Sequence, residues 1–203
     1  MSVEAHAGTA ASVEHAQRDL ASEAMGRYAA GDDHAFSAVY DLLSPRLYRF
    51  CIFLVGRADA ADLVQEVFLK MHRARSSFIK GGSAVAWSFA IARTTAIDRS
   101  RRRRRRPEDV TEPERMELVD AGTSTTPEDA LCGVVMQDVV ERGLHTLSEA
   151  LRPAYVLVRL EGMSCAETAE ILGCTVSAVK QRVHRASEEL RVALQAKGWE
   201  HDV

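Results

Sequence analysis

Lys180, Gln181, His184 and Arg185 lie within one stretch, MSCAETAEILGCTVSAVKQRVHRASEELR. Their spacing puts them on the outward side of a helix with Ser177. Side chains of these types read DNA: an amide pairs with adenine, lysine or arginine pairs with guanine, and the same cations neutralise phosphates. A second concentration of basic chemistry lies upstream, in RTTAIDRSRRRRRRPEDV, where Arg101 to Arg106 run without interruption to Pro107. Arg93 to Arg106 holds eight arginines and one acid, Asp98; Glu108 to Asp129 holds eight acids and one base, Arg115. A solvated charged helix normally mixes signs. Such segregation, in a chain of formal net charge −3, points to nucleic-acid contact.

The elements that must position these residues are helical. Ser164 and Glu167 have the S-x-x-E spacing of a capping box. Ala169 and Leu172 are the inward residues of that helix, Gly173 stands where the chain must turn, and Thr175 caps the next helix. Val176, Val179 and Val183 are its expected buried stripe. The pattern is that of a helix-turn-helix with a basic second helix, whose bland alternative is two packed helices with a solvated face. His184 reads equally as a phosphate contact or as a solvated residue.

Upstream, apolar residues recur at helical spacing from about Ser22 to Arg106. In DAADLVQEVFLKMHRARSSF, Leu63, Val67 and Met71 form one line with Val64 and Phe68 beside it, while Asp62, Gln65, Glu66 and Leu69 occupy another face. Asp59 is the expected N-cap of that helix. AFSAVYDLLSPRLYRFCIFLVG predicts two helices, the second starting at Pro45 and ending at Gly56. After KGGS, Ser83 can cap a helix that runs through Trp87, Ile91 and Ile97, turned inward, into the arginines. Trp87 is expected in the core rather than as a base-stacking platform.

With 203 residues, 46% of them hydrophobic, the chain suits one large domain or two small ones. The expected class is all-α: a disordered N-terminal tail at 1–20, a helical domain at 21–106, a flexible acidic linker at 107–127, a second helical domain at 128–196 and a tail at 197–203. No strand pattern supports the α/β catalytic domain of a serine recombinase or a response-regulator receiver domain. The four cysteines, at 51, 132, 165 and 174, lack C-x-x-C spacing and are expected to be reduced, mostly buried thiols. No catalytic residue, metal site or cofactor is expected. Without an export signal or an apolar run of ~20 residues, the expected location is cytoplasmic, with no membrane insertion.

Both blocks, in this order, resemble the extracytoplasmic-function (ECF) sigma factors of bacterial RNA polymerase. SPRLYRFCIFLVGRADAADLVQEVFLKMHRA and AWSFAIARTTAIDRSRRR are similar to sigma region 2, and LSEALRPAYVLVRLEGMSCAETAEILGCTVSAVKQRVHRA to region 4. The resemblance implies an all-α fold and a non-enzymatic role in transcription initiation. It implies contacts with core polymerase, through the β′ clamp helices and the β subunit, and with promoter DNA and an anti-sigma factor in a stress or envelope response. By the same resemblance, Asp62, Gln65, Glu66 and Leu69 would bind polymerase. Lys80 and Ser83 would help hold an extruded base, and Arg93, Arg99, Arg101, Arg102 and Arg105 would meet DNA at the minus-ten element. Thr175, Ser177, Lys180, Gln181, His184 and Arg185 would read the minus-thirty-five element. The acidic linker would shield the arginines when DNA is absent. Thr94, Val85, Thr168 and Ala178 depart from the usual residues of the family. A helix-turn-helix regulator that is not a sigma subunit is the alternative.

Overall fold

The computed structural model describes residues 3–105, 143–144 and 146–195. Among them every regular element is helical. The first domain is built from α1 (Val3–Ala29), α2 (Ala35–Val55), α3 (Arg57–Arg73) and α4 (Ala84–Arg105), with a 3₁₀ turn at Arg75–Ser77 before α4. Helix α1 corrects the expected tail at 1–20: the segment is helical from Val3. Its alanine-rich composition favours helix, and Ala21, Ala24, Met25 and Tyr28 anchor its later turns in the core. The two helices expected around Pro45 are one continuous α2. Proline removes one N–H donor, and the acceptor left over, the Asp41 carbonyl, belongs to an exposed residue that water can reach. Helix α3 begins directly after Gly56 at φ 85°, so Asp59 sits in its first turn and is not its cap. Ser83 does cap α4, its hydroxyl accepting from the Ala86 N–H at 3.2 Å.

Leu43, Leu47 and Phe50 of α2 meet Leu63, Val67 and Met71 of α3 and Val85, Phe89 and Ala92 of α4 in the core. The rings of Phe50 and Phe89 lie 4.8 Å apart. The buried stripe of α4 runs through Val85, Ser88, Phe89, Ala92, Thr95 and Ala96. Ile91 and Ile97, expected inward, are therefore half-buried at its flank, as is Trp87 against Phe78, 5.4 Å away. Burial pushes the Cys51 thiol up to about 12, as suits an inert thiol; Cys165 and Cys174 are half-buried and free.

The second domain holds α5 (Arg152–Tyr155), which continues through a π-helical turn (Val156–Leu160), then α6 (Cys165–Leu172) and α7 (Val176–Gln195). The expected linker at 107–127, the segment 128–142, Cys132 and the tail at 197–203 lie outside the described residues. Helix α6 packs on α4, so the two domains touch. Thr168 is fully buried, and its hydroxyl has no hydrogen-bond partner. A buried, unpaired hydroxyl costs about 1–3 kcal/mol. Thr168→Val, nearly the same shape, is expected to raise stability by about 1 kcal/mol, read from denaturant unfolding of the full chain; an unchanged or lower midpoint would show that the hydroxyl is satisfied in solution.

Candidate functional site

The helix-turn-helix forms as its residues dictate. The Ser164 hydroxyl accepts from the Glu167 N–H at 3.1 Å, and the Glu167 carboxylate accepts from the Ser164 N–H at 2.9 Å. Burial works to raise the Glu167 carboxyl, but the hydrogen bonds from Ser164 and the Arg18 charge overcome it and hold it below its ordinary value. Gly173 turns the chain in the left-handed region at φ 59°, ψ 44°, and the Thr175 hydroxyl accepts from the Ala178 N–H at 3.2 Å. Val179 and Val183 are buried as expected, with Ala186 and Leu190 extending the stripe. Val176 is not part of it: at 40% exposure it sits in the first turn, beyond the packed face. Thr175, Ser177, Lys180, Gln181, His184 and Arg185 are all exposed. One helix thus presents hydroxyl, amide, imidazole and cationic groups together on its free side, the set that can read base edges and bind phosphate.

The arginine helix divides into two faces. Arg99 Nε donates to Glu66 at 2.8 Å, Arg103 donates to Asp59 at 2.8 Å, and Arg102 lies 3.9 Å from Glu66. This face turns toward α3. Arg93, Arg101 and Arg104 lie on other sides of the helix, and together with Arg99 and Arg103 they line a cleft of about 1040 Å³ with Glu149, Ala150 and Arg152 of the second domain. Arg101, Arg104 and Arg105 have no acidic partner among the described residues. Arg104 joins the candidates here; sequence spacing alone could not single it out of a run of six arginines.

Glu66 departs from its expected place. Asp62, Gln65 and Leu69 face water, but Glu66 is turned to α4, with Lys70 at 3.7 Å as a further partner. Burial works to raise its carboxyl, yet the Arg99 hydrogen bond and the charges of Arg99, Lys70 and Arg102 hold it below the ordinary value. A depressed carboxyl favours the fold above its unfolded pKa, and that contribution is lost as pH falls through the folded one. The contribution of Glu66 to the α3–α4 contact is therefore lost in acid. Gln65 and Leu69 instead line an apolar cleft of about 610 Å³ with Tyr28, Phe36, Tyr40 and Phe68. The aromatic wall is stiffened where Tyr28 hydrogen-bonds His72, and where Arg75 lies 5.1 Å over the Tyr28 ring and 3.5 Å from Asp33. Three helices supply this wall, so only the tertiary fold reveals it.

Between α3 and α4, Lys80 is exposed in a tight turn closed by the Gly82 N–H to the Ile79 carbonyl at 2.8 Å. Ser83 is half-buried with its hydroxyl engaged in capping, which leaves Lys80 as the freer of the two candidates.

The sequence matches two family descriptions, sigma-70 region 2 at residues 39–106 and sigma-70 region 4 at residues 137–190. It is 33% identical over 171 residues to the ECF RNA polymerase sigma-E factor of Haemophilus influenzae, covering 81% of this chain and 90% of that one. Against the ECF RNA polymerase sigma factor SigW of Bacillus subtilis the identity is 28% over 173 residues, covering 81% and 91%. Among solved structures, the sigma factor RpoE in complex with the anti-sigma factor NepR from Bartonella quintana superposes with a TM-score of 0.63 at 28% identity, covering 79% of this chain and 96% of that one. CnrH in complex with the cytosolic domain of CnrY also gives 0.63, at 25% identity, covering 89% and 98%.

Proposed function

Since this chain belongs to the ECF sigma factors of the sigma-70 family, we propose that its two domains divide promoter recognition, α7 reading the minus-thirty-five element and α4 with the Lys80 turn engaging the minus-ten element. As a sigma factor it binds core RNA polymerase and directs it to promoters. The observation that carries the assignment to α7 is the exposure of Thr175 at its cap and of Ser177, Lys180, Gln181, His184 and Arg185 along it, opposite the buried Val179 and Val183. Asp62, Gln65 and Leu69, with the aromatic cleft beside them, supply the surface for the β′ clamp helices, and the second domain meets the β subunit. The protein acts in the cytoplasm and performs no covalent chemistry. Its solved neighbours were captured with anti-sigma proteins. A partner of that kind, covering the Leu69 cleft and the DNA face, would hold this chain inactive until a stress or envelope signal releases it.

Run-off transcription with core polymerase on a genomic promoter library, with and without the chain, tests the reading as a whole; no gain in specific transcripts would defeat it. For the helix itself, Gln181→Ala is expected to cost about 1–3 kcal/mol at one base position. Loss of a phosphate contact at Lys180 or Arg185 would instead weaken all promoters alike. If Gln181→Ala leaves the ranking of minus-thirty-five variants untouched, Gln181 does not read a base.

A further inference from the structure

One imidazole at the end of α3 is held in a single tautomer. The Tyr28 hydroxyl, on a side chain only 3% exposed, hydrogen-bonds Nδ1 of His72. Arg75 Nη1 lies 3.2 Å from the same nitrogen. A guanidinium has N–H donors and no lone pair to offer. Nδ1 therefore accepts, and the ring proton sits on Nε2. Arg75 is itself fixed, 5.1 Å over the Tyr28 ring and 3.5 Å from Asp33. Tyr28 is fixed in turn by Phe36, with ring centroids 5.3 Å apart.

The outer side of the same ring is free. His72 is exposed, and its Nε2 has no partner among the described residues. It follows Gln65, Phe68 and Leu69 at the spacing of one helix face and lines the same apolar cleft. An unrestrained surface histidine presents either nitrogen as donor. Here the inner bonds leave one N–H donor at the cleft rim, on a ring already held in place. Polar groups around an apolar centre fix the register of an interface and reject wrong partners. A donor ordered before binding also loses less freedom when the partner arrives.

We infer that His72 is a specificity-determining residue of the polymerase face: its Nε2–H donates to an acceptor oxygen on the clamp helices, and Tyr28 and Arg75 are the positioning residues that hold that donor. The inference rests on the assignment of the Leu69 cleft to core polymerase, but the tautomer can be read in the free chain. The titratable and charged groups around the ring are Tyr28 from α1, Asp33 from the turn before α2, Tyr40 of α2 across the cleft and Arg75 from the 3₁₀ turn, with Lys70 and Arg73 on α3 itself. Of these only Asp33 favours a second ring proton, and Arg75 already pairs with it at 3.5 Å. A proton on Nδ1 sets an imidazolium against the Arg75 guanidinium and removes the acceptor, so the arrangement breaks in mild acid.

Two near-isosteric replacements in the full chain separate the two nitrogens. Asparagine puts its amide oxygen where Nδ1 lies, and glutamine puts its amide nitrogen near Nε2. His72→Asn, which keeps the inner acceptor and loses the outer donor, is expected to leave thermal unfolding unchanged and to lower affinity for core polymerase about tenfold. His72→Gln, which keeps the donor and loses the acceptor, is expected to unfold at lower temperature yet to bind more tightly than His72→Asn. Wild-type affinity is expected to decline from about pH 8 to about pH 5, where imidazole ordinarily titrates, more steeply than that of His72→Asn. Nitrogen NMR spectra of the free chain with isotope-labelled histidines, the His72 signal identified by its loss in His72→Asn, are expected to show the Nε2–H form at neutral pH. An Nδ1–H form or a mixture of the two overturns the inference. So does His72→Asn with wild-type affinity beside a Leu69→Asp variant that has lost it. Leu69→Asp with wild-type affinity overturns the assignment of the cleft to polymerase, and the inference with it.

Discussion

Alanine at Arg101, Arg104 and Arg105 together is expected to lower promoter affinity of the holoenzyme on the order of a hundredfold at ~0.1 M salt and to flatten its salt dependence. Each phosphate contact adds about 0.9 to the slope of log affinity against log salt, so each is worth roughly eightfold at ~0.1 M relative to ~1 M. Two such contacts give roughly sixtyfold and three roughly five hundredfold. These arginines are the ones left over when the folded structure has used the others. All three are exposed, and none has an acidic partner among the described residues. Arg99 and Arg103, by contrast, are tied to Glu66 and Asp59 at 2.8 Å. Their replacement is expected to loosen the α3–α4 clamp while leaving the salt slope nearly intact. Promoter preference is expected to survive the triple change, because phosphate contacts carry no base code. Titration of labelled promoter with mutant and wild-type holoenzyme at several salt concentrations decides the matter. An unchanged slope would make the run a solvated helix end.

The helix-turn-helix was legible in the sequence to single hydrogen bonds, since capping boxes, turn glycines and N-cap hydroxyls act within a few residues of themselves. The Ser164–Glu167 pair, Gly173 and Thr175 all stand where local chemistry puts them. The stripe of α3 was equally legible, because Leu63, Val67 and Met71 repeat at the period of the helix. The misplaced features depend on what lies across from a residue. Pro45 reads as a helix start, and only the exposure of Asp41 one turn earlier shows why the helix passes through it. Ile91 and Ile97 outweigh alanine on hydrophobicity, yet Ala92 and Ala96 face the core, where close approach of α2 and α3 to α4 leaves room for small side chains. Glu66 shares a surface pattern with Asp62 and Gln65 until α4 brings Arg99 beside it. Arg46 and Arg49 carry no local signal, because the carboxylate they meet, Glu161 at 2.8 Å and 3.4 Å, belongs to the second domain.

Loss of polymerase binding is expected to be largest for Leu69→Asp, by about two orders of magnitude. Leu69 is 56% exposed and Tyr40 is 45% exposed, and both border the cleft walled by Tyr28, Phe36 and Phe68. A contiguous apolar patch of this kind on a water-facing helix marks a surface that another protein covers. Its chemistry, an aromatic and aliphatic centre with Asp33, Gln65 and His72 around it, has the apolar-core and polar-rim anatomy of protein interfaces. Anchors at the centre of such patches cost about 2–4 kcal/mol when lost, roughly thirtyfold to a thousandfold. An introduced carboxylate adds the penalty of burying an unpaired charge. The fold is expected to be indifferent to the change, because the buried stripe of α3 runs through Leu63, Val67 and Met71 on the opposite side. Gln65→Ala, on the rim, is expected to weaken binding by a smaller factor. Glu66→Ala is expected to act differently from both, lowering thermal stability through the loss of Arg99, Lys70 and Arg102 while disturbing polymerase affinity less. Native mixing of each purified variant with core polymerase, alongside thermal unfolding of the free chain, separates the three behaviours. Leu69→Asp with wild-type affinity would remove the aromatic cleft from the polymerase interface and leave it free for a different partner.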